Sequence, residues 1–588
     1  MPYKSLNEFI SRLEKENELI RISEFVDPVL EITEVTDRIS KSSGGGKALL
    51  FENTGTSFPV LINAFGSEKR IAMALGVKLL EDIPNKIDGL FKAVTTPKQS
   101  LWEKLRLLPL LKEASAWMPS FKARKGQCQE VVVKNPDLSL LPILKCWTYD
   151  GGRFVTLPMV HTIDLNNGSR NVGMYRMQIF SKNSTGMHWH RHKTGARHFE
   201  EYKKQGKRMP VVVTLGGDPS YTYAATAPLP DNLDEYLLAG FLRGKKVELV
   251  QCFTQPLAVP SDVDFVIEGY VDPSEPLVTE GPFGDHTGFY SLEDLYPAFH
   301  VTCITHRKDA VYPATIAGIP PQEDAYIAKA TERIFLAPIR MVIAPEILDL
   351  NLPNEGVSHN IAILKIKKTY PGQAVKIASA LWGAGQMMFC KAIVVVSNDV
   401  DIHSYDELIE VVDKNFNPTT DTYFSRGPLD VLDHAAHTAG FGGKLCIDAT
   451  EKLPEEIVTD GLGIQHQQLY RLIHKSQFNG DVKAKITVLF DDVVDLSDIR
   501  TSVWILGNNI DISRDCEFKN GSLIIDATIK RKGVKGFNRP WPNAVCSSKE
   551  TIESINEKWQ RLGLGTLIVS PSLKYRQLQQ DGEAAISQ

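Results

Sequence analysis

The chain has 588 residues, of which 43% are hydrophobic and 23% are charged, and its formal net charge is −5. This is the composition of a globular protein of several domains, and acidic and basic residues are mixed, so no basic stripe for nucleic acid is present. No apolar run approaches the ~18 residues of a membrane span, and no signal-peptide pattern or C-x-x-C pair occurs, so we expect a cytoplasmic protein with reduced thiols.

The sequence pattern of residues 1–120 predicts an N-terminal α/β cap. Ser5 and Glu8 form a capping-box pattern at the start of an amphipathic helix within residues 3–23. The apolar face of this helix is predicted to comprise Leu6, Phe9, Ile10 and Leu13. The next predicted elements are a helix at Val29–Ser40 and strands at Ala48–Phe51 and Val60–Ala64. No residue pattern typical of catalysis occurs in this segment.

Residues 121–320 change to short strands separated by glycine and proline, which favours a barrel-like β domain. One helix, Asp234–Leu242, interrupts it. Residues 321–470 begin with a helix near 322–340 and continue with alternating strands and helices, a pattern typical of a parallel sheet.

Residues 471–576 predict a partial repeat of the preceding α/β domain. The repeat is visible as equal spacing from two lysines to two pairs of aspartates and as a shared IDAT tetrapeptide. The matching positions are Lys391 with Lys485, Asp401 with Asp495, Asp421 with Asp515, and Ile447–Thr450 with Ile525–Thr528. The polar tail 577–588 is predicted to be disordered.

The stretch from Asn171 to His198 predicts strand, turn and strand. His188, His190 and His192 alternate, so a strand would place them on one face, as a metal site or as a solvated basic hairpin. Asn171 and Arg176 would point to opposite faces of a regular strand, unless a bulge near Gly173 or a turn intervenes.

Glu280 and Asp285 flank the tight loop 281–284, which would bring two carboxylates together. Repulsion is expected to raise the pKa of one carboxyl group, and a nearby arginine to lower that of the other. The alternative is a turn with two solvated acids.

The motifs Asn-x-Gly-x-Tyr-Arg at 171–176 and EGPFGDHTG at 280–288 occur in this order, and with them the chain resembles the UbiD family. These are decarboxylases that use prenylated FMN. The resemblance covers about Tyr3 to Pro454 and is to the 3-polyprenyl-4-hydroxybenzoate type, in a long form with a C-terminal extension. It implies an α+β protein with a split β-barrel-like flavin domain and a three-layer α/β oligomerisation domain, followed by a partial repeat of the latter.

The resemblance also implies the roles of individual residues. Asn171, His192 and Glu235 would bind Mn²⁺ or Mg²⁺, which suit an amide, imidazole and carboxylate set, whereas a site of three histidines would indicate zinc. Backbone carbonyls near Ala224, Ala225 and Ala227 match the family's site for K⁺. The implied flavin contacts are Met174, Tyr175, Arg176, His188, Trp189, His190, Lys193, Thr194 and Lys391.

In this resemblance Arg176 would orient the substrate carboxylate, Glu280 would hold Arg176, and Asp285 would deliver a proton to carbon. Loss of CO₂ from an arene needs an electron sink that no side chain supplies, so a cofactor is required. The expected substrate is a 4-hydroxy-3-polyprenylbenzoate of ubiquinone biosynthesis. The alternatives are a dihydroxynaphthoate of menaquinone biosynthesis and a small phenolic acid.

The implied partners are a flavin prenyltransferase that supplies the cofactor and further copies of the chain in a homo-oligomer. A lipid-linked substrate would require peripheral contact with the membrane. Two other classes of function remain open: a flavin-binding module without turnover, and a metal-dependent hydrolase. The chain has no G-x-S-x-G elbow to favour the second.

Overall fold

The computed structural model describes residues 2–95, 108–231, 233–456 and 468–587. The chain forms two compact units, the first from residues 1–330 and 545–576 and the second from 331–544 and 577–588. Residues 545–576, which were expected to complete the C-terminal repeat, thus belong to the first unit. Among the described residues, none of the helices has the length and apolar character needed to cross a membrane.

The first unit begins with the predicted capped helix, at Leu6–Lys15. The Ser5 hydroxyl accepts from the Glu8 backbone N–H at 3.2 Å, and the four predicted apolar residues are buried. The helix ends at Lys15, earlier than expected, because the next residues pair as a strand. The resulting four-stranded sheet comprises Leu19–Ile22, Ala48–Phe51, Val60–Ile62 and Tyr312–Pro313. The accompanying helices are Glu31–Ser40, Glu68–Ala74, Asp82–Thr95 and Leu108–Ser115.

A seven-stranded sheet forms the core of residues 121–320. In spatial order its main strands are Ser184–Gly186, Ala298–His306, Phe265–Val271, Met209–Leu215, Met159–Ile163 and Arg170–Met174, and Val131–Val133 also pairs with Ala298–His306. The first and last strands of this order do not pair with each other within the described residues, so barrel closure is not observed there.

Smaller strands and several helices complete this part of the unit. A three-stranded sheet joins Ala258–Pro260, Glu248–Gln251 and Ser120–Phe121. Two-stranded pairs join Val278–Glu280 to Asp294–Tyr296, Phe283–Gly284 to Tyr290–Ser291, and Phe154–Val155 to Met177–Gln178. The helices are Thr194–Lys204, Pro219–Thr226, Glu235–Arg243, Lys549–Lys558 and Ser572–Tyr575. The architecture is therefore mixed α/β, and of these five helices only Glu235–Arg243 was predicted.

The second unit contains two sheets. The first has the strand order Ile347–Asn351, Ile361–Ile366, Ala392–Val396, Phe441–Ala449 and Thr422–Pro428. The second has the order Gln468–His474, Ala484–Phe490, Ser522–Asp526 and Cys516–Lys519. Each sheet has three neighbouring parallel strands and an antiparallel edge strand beside the last of them, and the first sheet has a second antiparallel edge strand, Ile347–Asn351. The helices here are Gln373–Trp382, Tyr405–Asn415, Ile499–Asn509 and Ile512–Asp515, and Glu323–Pro338 begins in the first unit.

The C-terminal tail differs from its predicted disorder. Ala585–Ile586 pairs antiparallel with Trp541–Pro542 in the second unit. The Ile586 side chain is buried in a cluster with Phe537 and Trp541, and the Asn543 side chain donates to the carbonyls of Gln580 and Glu583 at 2.6 and 2.7 Å.

Candidate active site

The site forms where one strand of the large sheet breaks. Arg170–Met174 pairs with Met159–Ile163 in continuous register, so the bulge expected at Gly173 is absent. Tyr175 and Arg176 then leave the strand pairing. The alternation of side chains ends there, so Asn171 and Arg176 need not point to opposite faces. Gly173 serves another purpose: a Cβ atom there would lie 2.4 Å from the hydroxyl oxygen of Tyr175.

Arg176 is the centre of a buried ion-pair network. Its Nε and Nη2 donate to the two carboxylate oxygens of Glu280 at 2.8 and 2.9 Å. Its Nη1 donates to Oδ2 of Asp285 at 2.5 Å, and Nη2 also donates to the Ser291 hydroxyl at 3.1 Å. The Phe283 ring lies 4.6 Å from the guanidinium carbon. The structure thus brings together the three side chains to which the resemblance assigns catalysis.

This network lowers the pKa of both carboxyl groups. Burial opposes the charge on Glu280, but Arg176 and His188 outweigh burial and lower its pKa to about 2. Burial likewise opposes the charge on Asp285, and His286 with Arg176 lowers the pKa of Asp285 below its ordinary range. The expectation that repulsion would raise one pKa is wrong for this state, because Arg176 contacts both carboxylates.

The histidine segment is not a strand. Residues 187–193 are irregular and lead into the helix Thr194–Lys204, so the predicted alternation on one strand face is wrong. His188 Nδ1 nevertheless lies 3.0 Å from a Glu280 carboxylate oxygen, and its Nε2 lies 2.5 Å from Nε2 of His190. Burial and the positive charge of Arg176 lower the pKa of His188, which favours the neutral imidazole.

Asp150 fixes the loop that carries the two acids, a role that sequence reasoning missed. Its Oδ1 accepts from the Gly284 N–H at 2.7 Å, and its Oδ2 accepts from Trp147 and Cys146 at 2.8 and 3.1 Å. Gln178 also accepts from the Gly281 N–H at 2.7 Å. The available signal was the acid before two glycines at Asp150–Gly152, a typical turn sequence.

Asn171 and Glu235, two of the three proposed metal ligands, lie close to each other. Glu235 accepts from the backbone N–H of Val172 at 2.8 Å, and both Asn171 and Glu235 are buried. Burial raises the pKa of Glu235 to about 7, and the side-chain nitrogen of Asn171 has no hydrogen-bond partner among the described residues. A buried carboxylate and a buried amide fit a divalent cation, which would stabilise the charged form.

The third proposed ligand, His192, is exposed, with its ring centre 5.8 Å from that of His190. Within the described residues, no three His, Cys, Asp or Glu side chains are arranged to hold a metal ion, which counts against the three-histidine zinc site. Ala224 and Ala225 lie in the last turn of Pro219–Thr226, and Ala227 caps it. Carbonyls at a helix C-terminus favour a cation such as K⁺.

The residues expected to contact the flavin fit an aromatic, phosphorylated ligand. The Trp189 indole N–H is buried without a hydrogen-bond partner among the described residues, and the Tyr175 ring lies edge-on 6.5 Å away. The helix starting at Thr194 receives no side-chain cap from Lys193. The N–H groups of such a helix start suit a phosphate group.

Lys391, in contrast, is bound within the second unit. Its ammonium donates to the carbonyls of Gly507 and Ile510 at 3.0 Å each and lies 2.5 Å from the Asp433 carboxylate. Its proposed contact with the flavin phosphate would have to replace these partners.

The site thus combines a buried arginine that two carboxylates share with the aromatic rings of Phe154 and Phe283. Comparison with known sequences identifies the class. Residues 10–87, 120–320 and 325–449 match the N-terminal, Rift-related and C-terminal domains described as 3-octaprenyl-4-hydroxybenzoate carboxy-lyase. The chain therefore belongs to the UbiD family and is a carboxy-lyase.

Two relatives of similar sequence are both described as uncharacterized proteins. One from Aquifex aeolicus is 50% identical over 455 residues, covering 77% of this chain and 93% of the relative. One from Helicobacter pylori (strain J99) is 36% identical over 597 residues, covering 94% and 96%.

Two solved structures have folds similar to that of this chain. Vanillic acid decarboxylase from Sedimentibacter hydroxybenzoicus, in its closed form, has a TM-score of 0.68 and 26% identity, covering 78% of this chain and 94% of its own. The UbiD-class enzyme HmfF from Pelotomaculum thermopropionicum, in complex with FMN, has a TM-score of 0.65 and 26% identity, covering 78% and 96%.

Proposed function

We propose that this chain is a non-oxidative decarboxylase of an aromatic acid and that it works with prenylated FMN. The observation that carries the proposal is the shared guanidinium of Arg176. Glu280 takes two of its donors and fixes its plane, whereas Asp285 takes the donor on Nη1. A planar guanidinium binds carboxylates well, so the substrate carboxylate is expected to compete with Asp285 for Nη1.

This competition gives Asp285 its role. Its pKa is low because Arg176 and His286 stabilise the carboxylate. An incoming substrate anion would displace Asp285 from Arg176 and place a second negative charge near it. Both changes raise the pKa of Asp285. Asp285 can then take up a proton and donate it to the ring carbon that has lost CO₂. Glu280 stays ionised through its contacts with Arg176 and His188.

Prenylated FMN, when bound, supplies the electron sink that loss of CO₂ requires. The residues that would hold it are Met174, Tyr175, Trp189 and His190 along the rings, and Lys193 with Thr194 at the phosphate. Asn171, His192 and Glu235 would hold Mn²⁺ or Mg²⁺ near that phosphate and neutralise its charge.

For the substrate, we propose a phenolic aromatic acid, with 4-hydroxy-3-polyprenylbenzoate as the first choice. The description of the matching family models supports that choice, and the similarity to vanillic acid decarboxylase supports small phenolic acids. The dihydroxynaphthoate alternative is tested alongside. Chain loaded with prenylated FMN and Mn²⁺ is given a panel of these acids, and CO₂ release is followed. Release from one class identifies the substrate, and no release from any aromatic acid overturns the proposal.

We further propose a cytoplasmic homo-oligomer that receives its cofactor from a flavin prenyltransferase. A mass of one chain by light scattering at micromolar concentration would contradict the oligomer. Recovery of flavin-loaded protein should depend on co-expression of that prenyltransferase. A prenylated substrate would add contact with a membrane surface, which flotation with vesicles tests.

A further inference from the structure

The second unit contains two segments with the same local structure, here called the first copy (391–449) and the second copy (485–528). Their helices, Tyr405–Asn415 and Ile499–Asn509, start at the same distance along the chain from Lys391 and Lys485. The edge strands also pair alike: Thr422 lies opposite Ile447 in the first copy, and Cys516 lies opposite Ile525 in the second.

Side-chain hydrogen bonds repeat at equivalent positions of the two copies. In the first copy the Asp401 carboxylate accepts from the His403 N–H at 3.0 Å, and in the second the Asp495 carboxylate accepts from the Ser497 N–H at 3.0 Å. The second matched pair of bonds runs from Asn417 N–H to Asp421 at 2.8 Å and from Asp511 N–H to Asp515 at 2.9 Å. The copies therefore share turn chemistry as well as strand order.

The two copies contact each other through equivalent residues. Phe424 and Phe518 occupy the same position in the two edge strands, and their rings pack edge to face with centres 5.9 Å apart. Because the two residues are equivalent, their contact lies on the approximate two-fold axis that relates the two copies. With this contact made, each side chain is still 46% exposed.

A second pair of contacts is reciprocal. The Lys391 ammonium of the first copy donates to the Gly507 carbonyl at 3.0 Å, at the end of the helix of the second copy. The Lys485 ammonium of the second copy donates to the Asp413 carbonyl, at the end of the helix of the first. Asp413 and Gly507 are equivalent positions. In an isologous two-fold interface, each contact from one copy to the other is matched by the same contact in the opposite direction, as it is here.

We propose that the second copy occupies, within one chain, the face through which the first copy would otherwise bind a second chain. The second unit is then an internal pseudo-dimer, and a homo-oligomer of this protein must be built on other faces. The larger hairpin of the first copy, Thr422–Pro428 with Phe441–Ala449, departs from the symmetry and supplies Asp433, which binds Lys391.

The contact on the axis is tested in the full chain. Phe424 and Phe518 are both changed to cysteine in a Cys516→Ser background, because Cys516 is the one native cysteine that is not fully buried. A short bismaleimide should link the two positions within one chain, with a yield independent of protein concentration. Chains carrying either cysteine alone are the controls. Links only between chains, or no link, would overturn the proposal.

A second variant tests whether the face of the first copy pairs with itself. Phe518→Glu removes the ring that packs against position 424 and should expose that position further. With Phe424→Cys in the same Cys516→Ser chain, the cysteine should react faster with maleimide, and bismaleimide should now join two chains through it. Unchanged reactivity would show that Phe518 does not cover Phe424. Faster reaction without chain-to-chain linkage would show that the first copy is not a self-pairing face. Either result contradicts the pseudo-dimer.

Discussion

Nη1 of Arg176 donates to Asp285 Oδ2 at 2.5 Å, so the guanidinium proposed to bind the substrate carboxylate is bound here to the proposed proton donor. One contact therefore relates substrate binding to the protonation of the acid. Catalytic acids are commonly tuned by burial and by neighbouring charges. In this site the positive charge of Arg176 favours the ionised form of Asp285, until a competing anion displaces the Asp285 carboxylate from Arg176.

The proposed metal site predicts loss of cofactor on removal of one ligand. Glu235→Ala and His192→Ala should each be purified with little flavin and little Mn²⁺, because the phosphate charge would no longer be balanced. The loss should exceed the roughly 10–100-fold that is typical of outer-shell changes. Flavin absorbance and bound metal per chain measure it. If His192→Ala retained its full flavin and metal, the exposed His192 would not be a ligand.

Glu280 should make stability depend on pH in the acid range. Its pKa is lowered from 4.5 to about 2, so its contribution is fully present above 4.5 and is lost as the pH falls through about 2. Between these limits the wild type should lose about 3 kcal/mol more of its free energy of unfolding than Glu280→Gln. Urea unfolding at a series of pH values measures this. Parallel pH profiles would mean that Glu280 is not held as an ion.

Gly173 should be needed for the position of the Tyr175 ring. A Cβ atom there would lie 2.4 Å from the Tyr175 hydroxyl oxygen and 2.5 Å from two ring carbons, so Gly173→Ala should displace the ring and lower flavin occupancy. Gly89→Ala is the matched control, because a Cβ at that exposed helix position meets nothing within 4 Å. The control should be neutral or slightly stabilising. Equal flavin contents in both variants would exclude this role of Gly173.

Asp150 should act as a positioning residue. Asp150→Ala would leave the N–H groups of Cys146, Trp147 and Gly284 without their acceptor. At about 1–3 kcal/mol for each buried unsatisfied group, the loss of stability should reach at least about 3 kcal/mol. Asp150→Asn keeps one oxygen acceptor and should lose less. Denaturant unfolding compares the two, and similar losses for both would show that the acceptor oxygens of Asp150 do not fix the loop.

Sequence patterns predicted those helix starts that depend on interactions between residues close together in the chain. The cap at Ser5 and the start of the helix at Tyr405 follow from short-range hydrogen bonds and apolar spacing. The histidine segment could not be predicted in this way, because its backbone forms tertiary bonds. The Met187 N–H still continues the strand pairing by donating to the Pro297 carbonyl at 3.0 Å, but the His188 N–H donates to the Arg176 carbonyl at 3.4 Å, so the strand does not continue.

The electrostatics of the site were also beyond the sequence. Two acids in one loop predict repulsion, and only the fold shows that Arg176, far away in the chain, contacts both and lowers both pKa values. The partners of Lys391 could not be predicted either. They come from the segment 507–510 and from a hairpin that the repeat pattern does not include.

The role of Asp285 as proton donor is tested most directly by hydrogen exchange into the decarboxylated product. Chain loaded with prenylated FMN, incubated in D₂O with the product arene of its substrate, should place deuterium on the ring carbon that carried the carboxylate. Asp285→Asn should keep its flavin and metal and exchange about 10²–10⁴-fold more slowly, since this is the contribution of a positioned acid. Exchange at the wild-type rate in flavin-loaded Asp285→Asn would contradict the account.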